Sequence, residues 1–252
     1  MRDVCGKQGH NFGRIFEQLR QASVLFPNKT QSQKVKMALS KPCEIKIWTS
    51  SHGTDYHHFP SALSKAFSEN SHPLKNSLIS LPLINAVPGR ETKRKFVSEV
   101  HHDFEQIPPE VKRINVLLMG DNDVRKNDYV GACRVEQNIG QIIDFHKGSR
   151  HGLVICGLLP SPVSWKYTHF LFHRVSSRLY RQVETANLNA NGRQIAYLRT
   201  MNIFFDDKGF IDEDRFFEPD RIHLNPRGAY QLAKHLIDNI IPITETFSQV
   251  PK

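Results

Sequence analysis

Apolar and polar positions fall into two kinds of block along the chain. Short apolar-rich runs predict strands, and the two most continuous of them, residues 113–120 and 151–160, are typical of strands buried on both faces. These runs cover residues 43–50, 76–84, 113–120, 151–160 and 193–200. Between them, apolar residues recur every three or four positions, which is the period of a helix with one buried face. The predicted helices cover residues 60–70, 91–104, 134–147, 169–188 and 225–240.

Strands that alternate regularly with helices predict an α/β protein. The expected architecture is a three-layer α/β/α sandwich around a mostly parallel sheet, of the flavodoxin-like type. We assign this domain to residues 43–245 and a short tail to residues 246–252. In such folds the loops that follow the strands carry the chemistry, because the carboxyl ends of parallel strands share one edge of the sheet.

The segment before the domain has a different character. Residues 1–42 are interpreted as a basic N-terminal arm with a short amphipathic helix and a polar linker. The chain has a net charge of +9, and residues 1–46 hold nine basic against three acidic side chains, or +6 of that total. A basic arm favours polyanions, so nucleic acid is one predicted partner. A solvated basic segment without a partner is the alternative.

The composition also bears on location. No apolar run approaches the roughly 18 residues of a membrane span, and the start of the chain lacks the apolar core of a secretory signal. The four cysteines, Cys5, Cys43, Cys133 and Cys156, are widely and irregularly spaced. In a chain without a signal they are interpreted as reduced thiols, which favours a cytoplasmic location.

Neither of two histidine-containing segments predicts a metal site. The segment "CGKQGH" (residues 5–10) resembles part of a retroviral-type zinc knuckle, but Cys5 and His10 supply only two of the four ligands needed. The segment 52–58 offers three histidines without a fourth ligand. We therefore predict no metal and no cofactor.

The loops after the predicted strands hold a set of polar residues and glycines that suit nucleophilic catalysis. In chain order they are Ser50 and Ser51, Gly89, Gly120 with Asn122 and Asp123, and Asp220 with His223. A serine needs a base to remove its proton, and histidine does this near neutral pH. The histidine needs a carboxylate to fix its tautomer, and a developing oxyanion needs N–H donors aimed at it.

The order of these residues resembles the SGNH hydrolases, also called GDSL-like esterases and lipases. The resemblance rests on four blocks over roughly residues 43–242, the strongest being "LLMGDNDVRK" and "DRIHLNPRG". It implies metal-free hydrolysis of a small acyl or acetyl ester through an acyl-enzyme. Ser51 would attack, His223 would serve as base and then acid, and Asp220 would orient His223. The backbone N–H groups of Ser51 and Gly89 and the Asn122 amide would form the oxyanion hole, while Asp123 is expected to brace its loop.

One departure from the family pattern affects the first block. Where the family has Gly-Asp-Ser, this chain has Thr49-Ser50-Ser51. Ser50 is therefore an alternative nucleophile, and loss of the aspartate removes a carboxylate that would support the loop. A second hypothesis follows, in which the domain is catalytically inert and binds nucleic acid or a protein through a basic surface.

Two further observations concern such a basic surface. Arg174, Arg178 and Arg181 recur at helical spacing, which predicts a basic stripe that is either solvated or tracks a phosphate backbone. SGNH-like esterase domains also occur in retroelement-encoded proteins beside nucleic-acid-binding segments. With the knuckle-like segment 5–10, this suggests a retroelement-associated member as a hypothesis.

Overall fold

The computed structural model describes residues 43–54, 58–72, 80–147, 149–188 and 194–248, apart from the side chains of residues 127 and 245–248. The predicted arm (residues 1–42) lies outside this set, as do Cys5, His57 and the last residues of the predicted tail. The helix, linker and nucleic-acid binding of the arm therefore stay predictions. In the described residues no helix is both long and apolar enough to cross a membrane.

The sheet has five strands that all run parallel. They are β1 (Cys43–Thr49), β2 (Leu83–Ala86), β3 (Lys112–Leu118), β4 (Gly152–Cys156) and β5 (Ile195–Leu198). Their spatial order is β2-β1-β3-β4-β5. The predicted α/β class and parallel sheet are confirmed, and the central strands β1, β3 and β4 are buried along most of their length.

Helices cover both faces of the sheet. They are α1 (Phe59–Glu69), α2 (Arg94–Glu105), α3 (Asp121–His146), α4 (Pro162–Leu188), the single turn α5 (Glu213–Phe216) and α6 (Pro226–Ser248). One hydrophobic core joins α1 and α6 to the sheet through residues such as Ile45 and Leu232. A second core joins α2, α3 and α4 to the opposite face through residues such as Leu117 and Phe172. These are the three expected layers.

Several elements differ in their bounds from the sequence-based prediction: α4 begins at Pro162 and not at residue 169, and α6 ends at Ser248 and not at residue 240. The second strand is Leu83–Ala86 and not residues 76–84, of which 76–79 lie outside the described residues. It is an edge strand with Leu83 55% exposed, so it lacks the continuous burial that marks the central strands. Helix α3 begins at Asp121 and not at residue 134, and it is interrupted at Asp128, where φ is 47°.

The predicted basic stripe on α4 is also corrected in part. Arg174 forms an ion pair with Glu136, its Nε lying 3.0 Å from Oε1, and its guanidinium stacks 4.6 Å from the centre of the Tyr129 ring. A guanidinium that is paired and stacked in this way is not available to track a phosphate backbone. Arg178 and Arg181 are exposed.

A buried histidine at the end of α3 predicts acid lability. The His146 side chain is fully buried, its Nε2 donates to the carbonyl oxygen of His151 over 2.8 Å, and its ring packs 4.4 Å from that of Phe104. Burial lowers the pKa of His146 to about 4, because protonating the second ring nitrogen would place a charge in this apolar site. The neutral ring thus stabilises the fold above the unfolded pKa, and that contribution is lost as the pH falls from about 6.5 towards 4.

We expect the free energy of unfolding to drop by about 2 kcal/mol between pH 7 and pH 5 from this residue. Urea unfolding at the two pH values measures the drop. In His146→Gln, which retains an N–H donor but does not titrate, the drop should be smaller. An unchanged pH dependence in a folded His146→Gln protein would contradict the assignment.

Candidate active site

Ser51 stands at the carboxyl end of β1. The strand ends at Thr49, Ser50 continues into the interior, and Ser51 opens a 3₁₀ turn over Ser51–Gly53. Ser50 is fully buried, whereas Ser51 is only partly buried. The turn thus presents Ser51, and not Ser50, at the edge of the sheet where a substrate can reach it.

Asp220 and His223 share a tight loop between α5 and α6. Asp220 Oδ1 accepts the backbone N–H groups of Ile222 and His223 at 2.8 and 2.9 Å, which folds the loop around the carboxylate. Arg221, which directly follows Asp220, has a φ of 56°, an unfavourable value for a residue with a Cβ. Its guanidinium donates to both carboxylate oxygens of Glu213, at 2.7 and 2.9 Å, and this pair links the loop to α5.

The residues after His223 explain the helical start that the sequence suggested. Asn225 caps α6, since its Oδ1 accepts the N–H of Gly228 over 2.9 Å, and Pro226 occupies the first helical position. The Asn225 amide also donates to the carbonyl oxygens of Arg215 and Phe217. The cap therefore fixes both the helix and the loop that carries His223.

His223 bridges Ser51 and Asp220. Its Nδ1 lies 2.5 Å from Asp220 Oδ2, and its Nε2 lies 3.0 Å from Ser51 Oγ. A proton on Nδ1, facing the carboxylate, leaves Nε2 as the acceptor for the serine hydroxyl. Partial burial raises the pKa of Asp220, but hydrogen bonds from the His223 backbone and ring and from Ile222 outweigh this and lower it to about 2. The carboxylate is therefore ionised at any pH at which histidine can act as a base.

The turn after β2 and the start of α3 bring Gly89 and Asn122 into one region. Directly after β2, the Val87 N–H donates to the Thr49 carbonyl oxygen at the end of β1. The turn that follows β2 therefore lies beside the end of β1. Gly89 has a φ of 65°, which a glycine adopts without strain. Asn122 Nδ2 donates to the carbonyl oxygen of Arg90 over 3.2 Å, which links α3 to this turn.

The orientation of the Asn122 amide is fixed by its neighbours. Its Oδ1 accepts a hydrogen bond of 2.6 Å from the Arg125 guanidinium, one turn along α3. The NH₂ group lies on the side of the amide opposite to Arg125. One of its two N–H bonds donates to the Arg90 carbonyl, and the second is a further donor. Asn122 lies in the first turn of a helix and not in the loop that the sequence predicts, because α3 begins earlier than expected.

Asp123 braces this region, as its place in the sequence suggests. Its Oδ2 accepts the N–H of Thr92 over 2.8 Å, and Arg134 lies 3.6 Å from its Oδ1. The carboxyl is fully buried, and burial raises its pKa to about 6 despite the Thr92 hydrogen bond. Asp123 joins α3 to the loop before α2 and points away from solvent.

Gly53, His52 and Asp121 accommodate the unusual first block, a role that no local pattern in the sequence predicts. A Cβ on Gly53 would lie 2.0 Å from the Thr49 methyl group, so a threonine at this position requires glycine four residues later. His52 is buried, with its Nε2 3.5 Å from Asp121 Oδ2 and its ring 5.5 Å from that of His223. Asp121, which lies in the segment "LLMGDNDVRK", thus places a carboxylate beside the turn that carries Ser51.

The histidines near Ser51 have separate partners. His52 faces Asp121, whereas His58 lies 3.3 Å from Glu218 at the surface. Over the described residues, no group of three or more His, Cys, Asp and Glu side chains is arranged to hold a metal ion. Cys43, Cys133 and Cys156 are free thiols, and Cys43 and Cys156 are buried.

Comparisons with known proteins identify the fold. No protein-family model matches the chain, and no curated protein matches it by sequence. Among solved structures, it is similar to a family 3 carbohydrate esterase from Clostridium thermocellum, with 15% identity, a TM-score of 0.58 and coverage of 82% of this chain and 99% of that one. A G-D-S-L family lipolytic protein from Veillonella parvula has 11% identity, a TM-score of 0.58 and coverage of 79% and 98%.

An acetylxylan esterase from Geobacillus stearothermophilus gives a similar result. Its identity is 14% and its TM-score 0.57, with coverage of 79% of this chain and 95% of that one. At identities this low the similarity shows the fold alone, and it is a fold that this chain shares with two carbohydrate-ester hydrolases and a G-D-S-L family lipolytic protein. The link to retroelements stays a hypothesis.

Proposed function

Starting from an SGNH-type fold, we propose that this protein is a serine esterase that hydrolyses a small acyl or acetyl ester. The observation that carries the proposal is the position of His223, within hydrogen-bond distance of both Ser51 Oγ and Asp220 Oδ2. A domain that only binds a partner has no need of a serine, a histidine and a carboxylate in this order and geometry. Esterase activity of proteins with the same fold adds support at the level of reaction class.

Acylation begins at Ser51. As Oγ attacks the ester carbonyl, its proton passes to His223 Nε2, and the imidazolium is stabilised by the ionised Asp220. The tetrahedral intermediate then collapses: the bond from carbon to the alcohol oxygen breaks, and His223 returns the proton to the leaving alcohol. The products of this half are the free alcohol and Ser51 carrying the acyl group.

Deacylation repeats the same steps with water. His223 takes a proton from the water, whose oxygen attacks the acyl carbon, and Ser51 Oγ leaves with that proton. In both halves the carbonyl oxygen becomes an oxyanion. We assign its stabilisation to the backbone N–H groups of Ser51 and Gly89 and to the Asn122 side chain. Arg125, which holds the Asn122 carbonyl oxygen, is a positioning residue for that amide.

The proposal predicts measurable turnover of p-nitrophenyl acetate, with one acetyl group found on Ser51 when the reaction is quenched early. Asn122→Ala should lower kcat by about 100- to 1,000-fold and change KM little, because the amide acts on the oxyanion and not on the bound ester. Release of p-nitrophenolate and mass spectrometry of the quenched protein are the measurements.

Asn239→Ala on α6 is the matched control, since within the described residues its amide donates only to the His235 carbonyl, one turn earlier on the same helix. It should retain wild-type kcat. A folded wild-type protein that neither releases p-nitrophenolate above the buffer rate nor acquires an acetyl group would refute the proposed function. Equal losses of kcat in the two asparagine variants would refute the role given to Asn122.

A further inference from the structure

A second cleft opens at the same edge of the sheet, beyond β4 and β5. It has a volume of about 570 Å³ and is lined by Gly157 at the end of β4, by one face of α4 and by the segment from Tyr197 to Asn202. None of its lining residues belongs to the proposed triad or oxyanion hole. Its size is that of a site for a small molecule.

The charge of this cleft is one-sided. Arg181 and His173 from α4 and Arg199 from the loop after β5 line it, and no carboxylate does. Arg181 Nε donates to the Ser177 carbonyl of its own helix, and the Arg199 guanidinium lies 5.8 Å from the centre of the Tyr180 ring. Across the described part of the chain, neither has a carboxylate within 4.0 Å, unlike Arg174 with Glu136. Two such guanidinium groups at one concave site attract an oxyanion.

Neutral donors and aromatic surface complete the cleft. The rings of Tyr180 and Tyr197 meet edge to face, with centres 5.8 Å apart. A Cβ at Gly157 would lie 2.8 Å from the Tyr197 hydroxyl, so the glycine allows that hydroxyl to sit on the floor of the cleft. Burial raises the pKa of Tyr197 although a hydrogen bond with the Ser176 side chain opposes this, so the hydroxyl stays protonated. Ser177 and Asn202 add further polar groups.

We propose that this cleft binds a small phosphorylated molecule, with the phosphate between Arg181 and Arg199 and the organic part against Tyr180 and Tyr197. A phosphate suits the site because its charge matches two guanidinium groups that approach from separate elements. The volume leaves room for a ribose or nucleoside beside the phosphate, and the tyrosine rings offer that group an apolar surface. The site is distinct from the proposed esterase site, so the two assignments stand or fall separately.

Isothermal titration of the full chain tests the proposal, with ribose 5-phosphate, adenosine 5′-monophosphate and adenosine as probes. The two phosphorylated probes should bind saturably, and adenosine should not. Arg181→Gln and Arg199→Gln should each weaken binding by about tenfold or more, the usual consequence of losing a charge-assisted hydrogen bond. Both arginines are exposed, so the variants are expected to fold.

Two controls locate the site. Arg178→Gln removes an exposed charge from the same helix without touching the cleft, and Ser51→Ala alters the proposed catalytic serine; both should bind like wild type. The proposal is overturned if no phosphorylated probe binds, if adenosine binds equally, or if Arg178→Gln weakens binding as much as Arg181→Gln. It is also overturned if Ser51→Ala abolishes binding, or if a single-stranded oligonucleotide binds while the mononucleotide does not.

Discussion

Replacing Ser51 by alanine should abolish ester turnover, with kcat reduced by about 10⁴-fold or more. The substitution removes the atom that accepts the acyl group, and the rest of the site cannot substitute for it because His223 Nε2 then has no hydroxyl to deprotonate. Ser51 is only partly buried, so alanine leaves no large cavity and the fold should be retained. Hydrolysis of p-nitrophenyl acetate and thermal unfolding measure the two effects.

Ser50→Ala is the matched control for this experiment. The Ser50 side chain is fully buried behind the serine turn, and its hydroxyl has no hydrogen-bond partner among the described residues. It should retain activity and should still react with a fluorophosphonate probe, which labels a serine only where a base activates it. Labelling at Ser51 in wild type and in Ser50→Ala, but not in Ser51→Ala, is the expected pattern.

Other patterns would contradict the assignment. Labelling that follows Ser50 would make the neighbouring serine the nucleophile. An absence of labelling in a folded wild-type protein would favour the inert domain, and the basic arm would then be the place to look for function. Salt-sensitive binding of RNA or DNA that depends on residues 1–42 is what that second hypothesis predicts.

Asp220→Asn should lower kcat by about 10³- to 10⁴-fold. An amide can still accept the N–H groups of Ile222 and His223 through its oxygen, so the loop should keep its shape. Its NH₂ group, however, would face His223 Nδ1 and favour the tautomer with the proton on Nε2. That tautomer cannot take the proton of Ser51, so kcat should fall while KM stays close to wild type.

Glu218→Gln is the control for Asp220→Asn. Glu218 belongs to the same loop, but its carboxylate faces His58 and not His223. Its kcat should remain near the wild-type value, and steady-state kinetics of both variants make the comparison. If the two substitutions lowered kcat equally, loop distortion and not the tautomer of His223 would explain the loss.

The buried elements of this fold, whose apolar residues give a clear pattern, could be predicted from the sequence. The exposed edge strand and the polar start of α3 could not. β1, β3 and β4 are buried along most of their length because both faces of the central sheet are covered, and their apolar residues mark them in the sequence. β2 lies at the edge, with Leu83 exposed, and its signal was too short to place correctly. The first two turns of α3 read as a loop because their residues are mostly polar and a break at Asp128 separates them from the apolar part of the helix.

The candidate site also combines residues that local sequence features suggest with contacts that only the fold reveals. The sequence alone made Asp220 and His223 candidates for the site, because their spacing and the helix start that follows are local features. It left Ser50 and Ser51 as alternatives, since the choice depends on which side chain the turn after β1 directs inward. It also could not link His52 to Asp121, or Gly53 to the Thr49 methyl group, because these contacts depend on how the loop packs.

What the sequence determined by itself was the α/β class, the buried strands and the local blocks, since these rest on hydrophobic periodicity and turn chemistry within short segments. The tertiary structure decided which distant side chains meet. His223 reaches Ser51 across 172 positions of chain, and the second cleft gathers residues from β4, α4 and the loop after β5. Such contacts form because all strands of the sheet run parallel, which brings their carboxyl ends to one edge. No local pattern in the sequence shows which distant residues will meet there.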